Sequence, residues 1–152
     1  MAQGFFAATN TLALAAWLVL VLLPGRRLVS HVLCAVVVPG LLAAAYVAVV
    51  GWQLATSPPP GDLTTLAGLR AAFATDWVLA AAWTHYLAFD MVVGAWIARD
   101  AMRLGIPWPL RSVALVLTFL LGPAGFLVHL LARLTLRRAV AVDDGSGPTP
   151  PP

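Results

Sequence analysis

Four stretches of this chain are each apolar enough, over enough residues, to cross a lipid bilayer. A helix spanning a hydrocarbon core about 30 Å thick needs about 20 predominantly apolar residues. The first stretch runs from about Phe5 to Leu23 and stops at Pro24-Gly25-Arg26-Arg27. The second runs from about Val29 to Leu54, with Pro39-Gly40 inside it, where a kink is expected. The third runs from about Trp77 to Ala98 and is closed by Arg99-Asp100. The fourth runs from about Ser112 to Ala132, is closed by Arg133, and carries a second expected kink at Gly122-Pro123-Ala124-Gly125.

Composition supports the same reading. Only 10% of residues are charged and 61% are hydrophobic, against about 25% charged in an ordinary soluble domain. Such a chain cannot cover itself with polar groups in water, but in a bilayer it need not. The expected fold is all-α: a polytopic integral membrane protein with a bundle of four transmembrane helices over residues 1–138. A Pro-rich tail over 139–152 is expected to be disordered. The uncharged Met1–Gly4 segment and the length of the first apolar run favour a retained helix over a cleaved signal.

The connections are short. Thr56–Thr75 opens on Ser57-Pro58-Pro59-Pro60-Gly61, a stiff turn, and continues into Leu63–Phe73, a short interfacial helix. Ala101–Arg111 reads as an interfacial loop. Four crossings place both termini on one side. Arg26, Arg27, Arg99, Arg103 and Arg111 then face Arg70, Arg133, Arg137 and Arg138 across the membrane, nearly a tie under the positive-inside rule. The Arg26-Arg27 pair beside an uncharged N-terminus favours both termini outside. Trp52, Trp77, Trp96 and Trp108 fall near helix ends as interfacial anchors, while Trp17 and Trp83 sit deeper as packing residues.

All basic residues are Arg and all acidic residues Asp, a usage that fits a GC-rich bacterial genome and hence a multi-pass protein of the bacterial cytoplasmic membrane. The arginines form no basic stripe, which argues against nucleic acid as a partner. The lone Cys34 allows no intrachain disulfide and reads as a small buried hydrophobe. No nucleotide-binding glycine pattern occurs, and no metal site or cofactor is expected.

An ionisable side chain within hydrocarbon is costly, and this makes Asp90 the principal candidate. It lies nine residues before Arg99, roughly 13 Å along a helix. Trp83, Tyr86, Asp90 and Gly94 share one helical stripe, while His85 lies about 140° away around the helix. On the fourth stretch, Leu120–Pro123 reach the level of Asp90. Pro123 frees a carbonyl near Phe119, and Gly122 and Gly125 allow close approach. On the first, Thr9, Asn10 and Thr11 reach the level of Tyr86. A polar pocket bounded by Asn10, Tyr86, Asp90 and the Gly-Pro kink follows. Its residues either do chemistry or tie the helices together. His129 is expected near the other end of the bundle, a turn beyond His85. Asp100 is expected in a surface loop, paired with Arg103 or Arg99, and His31 at the interface.

Trp83-x-His85, Asp90, Asp100, Gly122-Pro123-x-Gly125-x-x-x-His129, Arg133 and the opening segment ending Leu23-Pro24 together resemble the ABA-deficient-four-like family. These are small four-helix membrane proteins, formerly a domain of unknown function. The resemblance covers about residues 5 to 135. It implies a link to the conversion of violaxanthin to neoxanthin, in which an epoxide opens to an allene and a tertiary alcohol with no net redox change. Such a reaction needs an acid at the epoxide oxygen and a base at the adjacent vinylic carbon. Asp90, with Tyr86 or His85, is the candidate catalytic set. Asn10, Trp83, Gly122, Pro123, Gly125 and His129 line the pocket or pack the helices. The chain then reads as an intramembrane carotenoid isomerase or its accessory protein, with an isoprenoid or carotenoid as partner. The alternative is a non-catalytic subunit of a homo-oligomer or membrane complex, or a lipid- or pigment-binding module.

Overall fold

A computed structural model of the chain describes residues 1–58 and 62–140. The Pro59–Gly61 part of the expected turn, and the expected tail beyond Val140, lie outside these residues. Six helices follow one another: α1 (Ala2–Leu22), α2 (Leu28–Thr56), α3 (Leu66–Phe73), α4 (Asp76–Arg103), α5 (Trp108–Leu121) and α6 (Pro123–Arg137). No strand occurs among the described residues. Helices α1, α2 and α4 are long and apolar enough to cross a membrane.

Helix α4 is the axis of the molecule, packed on α1, α2 and α5. Small side chains make this possible: Ala80, Ala81, Thr84, Ala88, Gly94, Ala95, Ala98 and Ala101 are all buried along it. Apolar helices gain little by leaving lipid for each other, so close van der Waals packing has to hold them. The buried Trp17 of α1 shows the fit. Its indole lies against Gly94, where an added Cβ would collide with the ring. Trp17 also meets Phe119 of α5, with ring centroids 5.6 Å apart.

The deviation expected at Pro39 takes a specific form. Residues Leu28–Val37 of α2 wind as a π-helix, and the chain returns to α-helix at Val38. Proline has no N–H and its ring crowds the carbonyl four residues earlier, so a wider turn upstream accommodates it. Arg99 of α4 braces this segment by donating to the Ser30 carbonyl at 2.5 Å. Short α3 forms where an interfacial helix was expected. Thr65 caps its first turn by accepting from the Gly68 N–H at 3.1 Å. Just upstream, Asp62 accepts from the Thr64 N–H and hydroxyl, which holds its carboxyl below the usual carboxylate range.

The fourth apolar stretch is not one helix. It breaks at Gly122, whose φ of 46° and ψ of −93° suit glycine and few other residues. The two halves run antiparallel. A Cβ on Gly125 would collide with the Thr118 and Ala114 backbones of α5, although 11 residues of straight helix would separate Ala114 from Gly125 by about 16 Å. Pro123 sits at the first turn of α6, where its missing N–H breaks no bond. The kink expected at Gly122-Pro123-Ala124-Gly125 is therefore a full reversal. Helix α5, at about 1.5 Å per residue, is roughly 21 Å long and ends at the level of Asp90. Helix α6 then returns to where α5 began, and Arg137 donates to the Gly105 carbonyl in the α4–α5 loop. Eight of the nine arginines thereby gather at one end of the molecule, with only Arg70 at the other.

Gly94→Val should be expelled by the Trp17 indole, and Gly122→Val should strain the reversal. Each is expected to lower stability by about 2–4 kcal/mol, read as a fall in the thermal midpoint in detergent. Gly51→Ala, with open space around it, should be neutral.

Candidate functional site

The hairpin tip meets α4 at Asp90. A Cβ on Gly122 would lie 2.9 Å from Asp90 Oδ1, 3.2 Å from Oδ2 and 3.3 Å from the Tyr86 ring. Only glycine lets the reversal sit this close to the carboxyl. Asp90 Oδ2 is buried and has no hydrogen-bond partner. Asp90 forms no ion pair among the described residues. A buried polar atom left unpaired is unusual in a native fold, and in an apolar setting it is a strong acceptor or donor for any group brought to it.

Aromatic and amide groups extend from Asp90 towards the N-terminal end of α1. Trp83 and Tyr86 stack in a tilted arrangement with centroids 5.3 Å apart. Trp83 Nε1 donates to Asn10 Oδ1 at 3.0 Å, and Asn10 Nδ2 donates back to the Phe6 carbonyl at 2.7 Å. Phe6 closes the row against Trp83. The structure places Asn10, Trp83, Tyr86, Asp90 and Gly122 in one row along α4. Because α5 and α6 stop at Gly122, they leave the rest of this α1–α4 face uncovered, and Trp83 stays 41% exposed. Trp83 therefore packs between Phe6 and Tyr86 with one side left open.

His85 does not join this group. It projects from a different face of α4, between Tyr46 and Phe89, with centroids at 5.4 and 4.7 Å. The set of Asp90, Tyr86 and His85 therefore divides, and only the first two share a site.

Two further expectations are corrected by the reversal. His129 lies at the opposite end from the one expected, because α6 runs back along α5. Asp100 is no surface-loop residue: it is in α4 and only 5% exposed. Its carboxylate accepts from Arg103 Nη2 at 2.8 Å, contacts His129 Nε2 at 2.8 Å, and pairs with Arg133. The Trp96 ring packs on His129 edgewise at 5.0 Å and lies under the Arg133 guanidinium at 5.5 Å. A buried carboxylate shared by guanidinium groups and an imidazole clamps the hairpin base to α4. The sequence signal was the helical spacing of His129 and Arg133, one turn apart, which only the reversal brings to Asp100.

The segment from residue 4 to 129 matches the model of the family described as ABA DEFICIENT 4-like. The chain belongs to that family. The matched residues include the Asp90 row, the hairpin reversal and the Asp100–His129 contact. No curated protein and no solved structure matches the chain.

Removing one member of the buried cluster leaves the others uncompensated. Arg133→Met is expected to cost about 3–5 kcal/mol, and Trp83→Phe, which loses the Asn10 bond, about 1 kcal/mol. Thermal denaturation of the two purified variants, side by side, should rank them in that order.

Proposed function

We propose that this family member is a multi-pass membrane protein that isomerises an epoxy-carotenoid-like isoprenoid at the Asp90 row. The unpaired Oδ2 of Asp90 at the hairpin tip carries the reading. Family membership supports the substrate class through the violaxanthin-to-neoxanthin conversion that the resemblance implies.

In this account α1, α2 and α4 span the bilayer. Helices α5 and α6 re-enter it from one face and turn back near mid-depth. Non-crossing structure at membrane depth is tolerated where protein surrounds it, and the α5–α6 hairpin satisfies its own backbone. The arginine-rich end faces the cytoplasm. The α1–α4 face left bare above the tip opens sideways to lipid, where an apolar substrate is dissolved.

The chemistry needs one proton moved and none consumed. Asp90 gives its proton to the epoxide oxygen as the C–O bond to the ring carbon bearing the polyene breaks. The oxygen leaves as a tertiary alcohol on the neighbouring carbon. The resulting cation is delocalised along the polyene and lies against the Trp83 and Tyr86 rings, whose faces favour positive charge. The Asp90 carboxylate then removes the vinylic proton, and that electron pair forms the allene. The acid is regenerated, and substrate and product are isomers. Tyr86 orients the carboxyl from one turn away.

The test is pigment analysis in a host that accumulates violaxanthin. Wild type should form the allenic product. Asp90→Asn should lower conversion by at least about 100-fold, the lower bound for losing a general acid–base, at unchanged protein abundance. His85→Phe should leave conversion intact. Absence of product from wild type, or full conversion by Asp90→Asn, would overturn the catalytic reading and favour a non-catalytic pigment-binding or subunit role.

A further inference from the structure

A second feature lies on another face of α4. A cavity of about 580 Å³ opens between α2, α3 and α4, lined among others by Tyr46, Gln53, Leu63, Phe73, Ala82 and His85. Its size falls within the range of small-molecule sites, about 300–1,000 Å³. Its walls are largely aliphatic and aromatic, and no Asp, Glu, Lys or Arg lines it.

Gln53 is the exception to that apolar wall. It is 6% exposed, on the last turns of α2, and it lines the cavity. Its side-chain amide hydrogen bonds to no other residue among the described ones. The amide is open to the cavity rather than enclosed by protein. Packing does not require it, since a methionine has a similar volume and would fill the same space. The amide offers both a donor and an acceptor to whatever fills the cavity. The His85 ring, held between Tyr46 and Phe89, provides a second polar edge on the facing helix.

We propose that this cavity binds a lipid-soluble molecule with a long or ring-shaped apolar body and one neutral hydroxyl or carbonyl end, which pairs with the Gln53 amide. The lining excludes a charged head. An anion would meet no Lys or Arg there, and a cation no carboxylate, so either would lose most of its hydration uncompensated. A pure hydrocarbon would fill the volume but leave the amide unpaired. The cavity's depth in the fold agrees. Gln53 follows Trp52, whose ring meets Trp77 edge-on at 5.3 Å near the start of α4, the level at which amphiphiles place their heads. The site is separate from Asp90 and does not depend on the reading of that residue.

All-trans-retinol is a suitable probe, because bound in a chiral cavity its absorption band acquires circular dichroism that micelle-dissolved retinol lacks. Purified protein in detergent should give a saturable signal with retinol and at least a tenfold weaker affinity for retinoic acid. Gln53→Met should weaken retinol binding about tenfold, and Ala82→Trp, which fills the cavity from α4, should abolish the signal. Asp90→Asn should leave it unchanged. Should Gln53→Met fail to fold, Ala82→Trp and the retinoic acid comparison still decide. No induced signal in wild type, equal affinity for the acid, or an unchanged signal in Gln53→Met or Ala82→Trp would overturn the assignment.

Discussion

The backbone of Gly122 governs the architecture. A chain that continued as helix through this point would carry His129 and Arg133 away from Asp100, to the far end of the molecule. With φ at 46°, the chain reverses, and three consequences follow together. The tip of the turn comes to rest on Asp90. The base of α6 returns to Asp100. The face of α1 and α4 beyond the tip stays uncovered.

The reversal is held from both ends by different physics. At the tip, the two glycines allow close approach: Gly125 to the Ala114 and Thr118 backbones, and Gly122 to the Asp90 carboxyl. Such closeness substitutes for the hydrophobic drive that helices lack in lipid. At the base, electrostatics dominate. Asp100, His129 and Arg133 form one buried cluster, which the exposed Arg103 joins from its rim. Its net worth is modest, because desolvation of the ions offsets most of their attraction. Its specificity is high, because any other register would take His129 and Arg133 away from the buried Asp100 carboxylate. The cluster thus selects the hairpin against a straight helix more than it stabilises it.

Much of this was legible in the sequence. The apolar runs located α1, α2 and α4 because periodicity and length are local properties. The Trp83, Tyr86, Asp90 stripe was legible for the same reason, and depth counting brought Asn10 to it correctly. Pro39 announced a deviation in α2, though not that it would be a widened π-turn upstream. What was not legible was the sign of one glycine torsion. Gly-Pro within an apolar run signals equally a kink in a crossing helix or the tip of a re-entrant pair, since both bury the same residues. Choosing the kink misplaced His129, left Asp100 at the surface and divided the arginines almost evenly. The hairpin puts eight arginines at one end against Arg70 at the other, an asymmetry of the kind the positive-inside rule describes. The clue lay in the mismatch between a nearly balanced charge count and a chain with no other topological ambiguity.

The hairpin is best tested by asking which face of the membrane each end of the chain occupies. In a Cys34→Ala background, Gln3→Cys and Leu136→Cys place single thiols at exposed sites at opposite ends of the described chain. A membrane-impermeant maleimide applied to intact cells should label Gln3→Cys and spare Leu136→Cys until the membrane is permeabilised. Labelling of both from the same face would mean that residues 112–132 cross the bilayer as a continuous fourth helix, and would contradict the account.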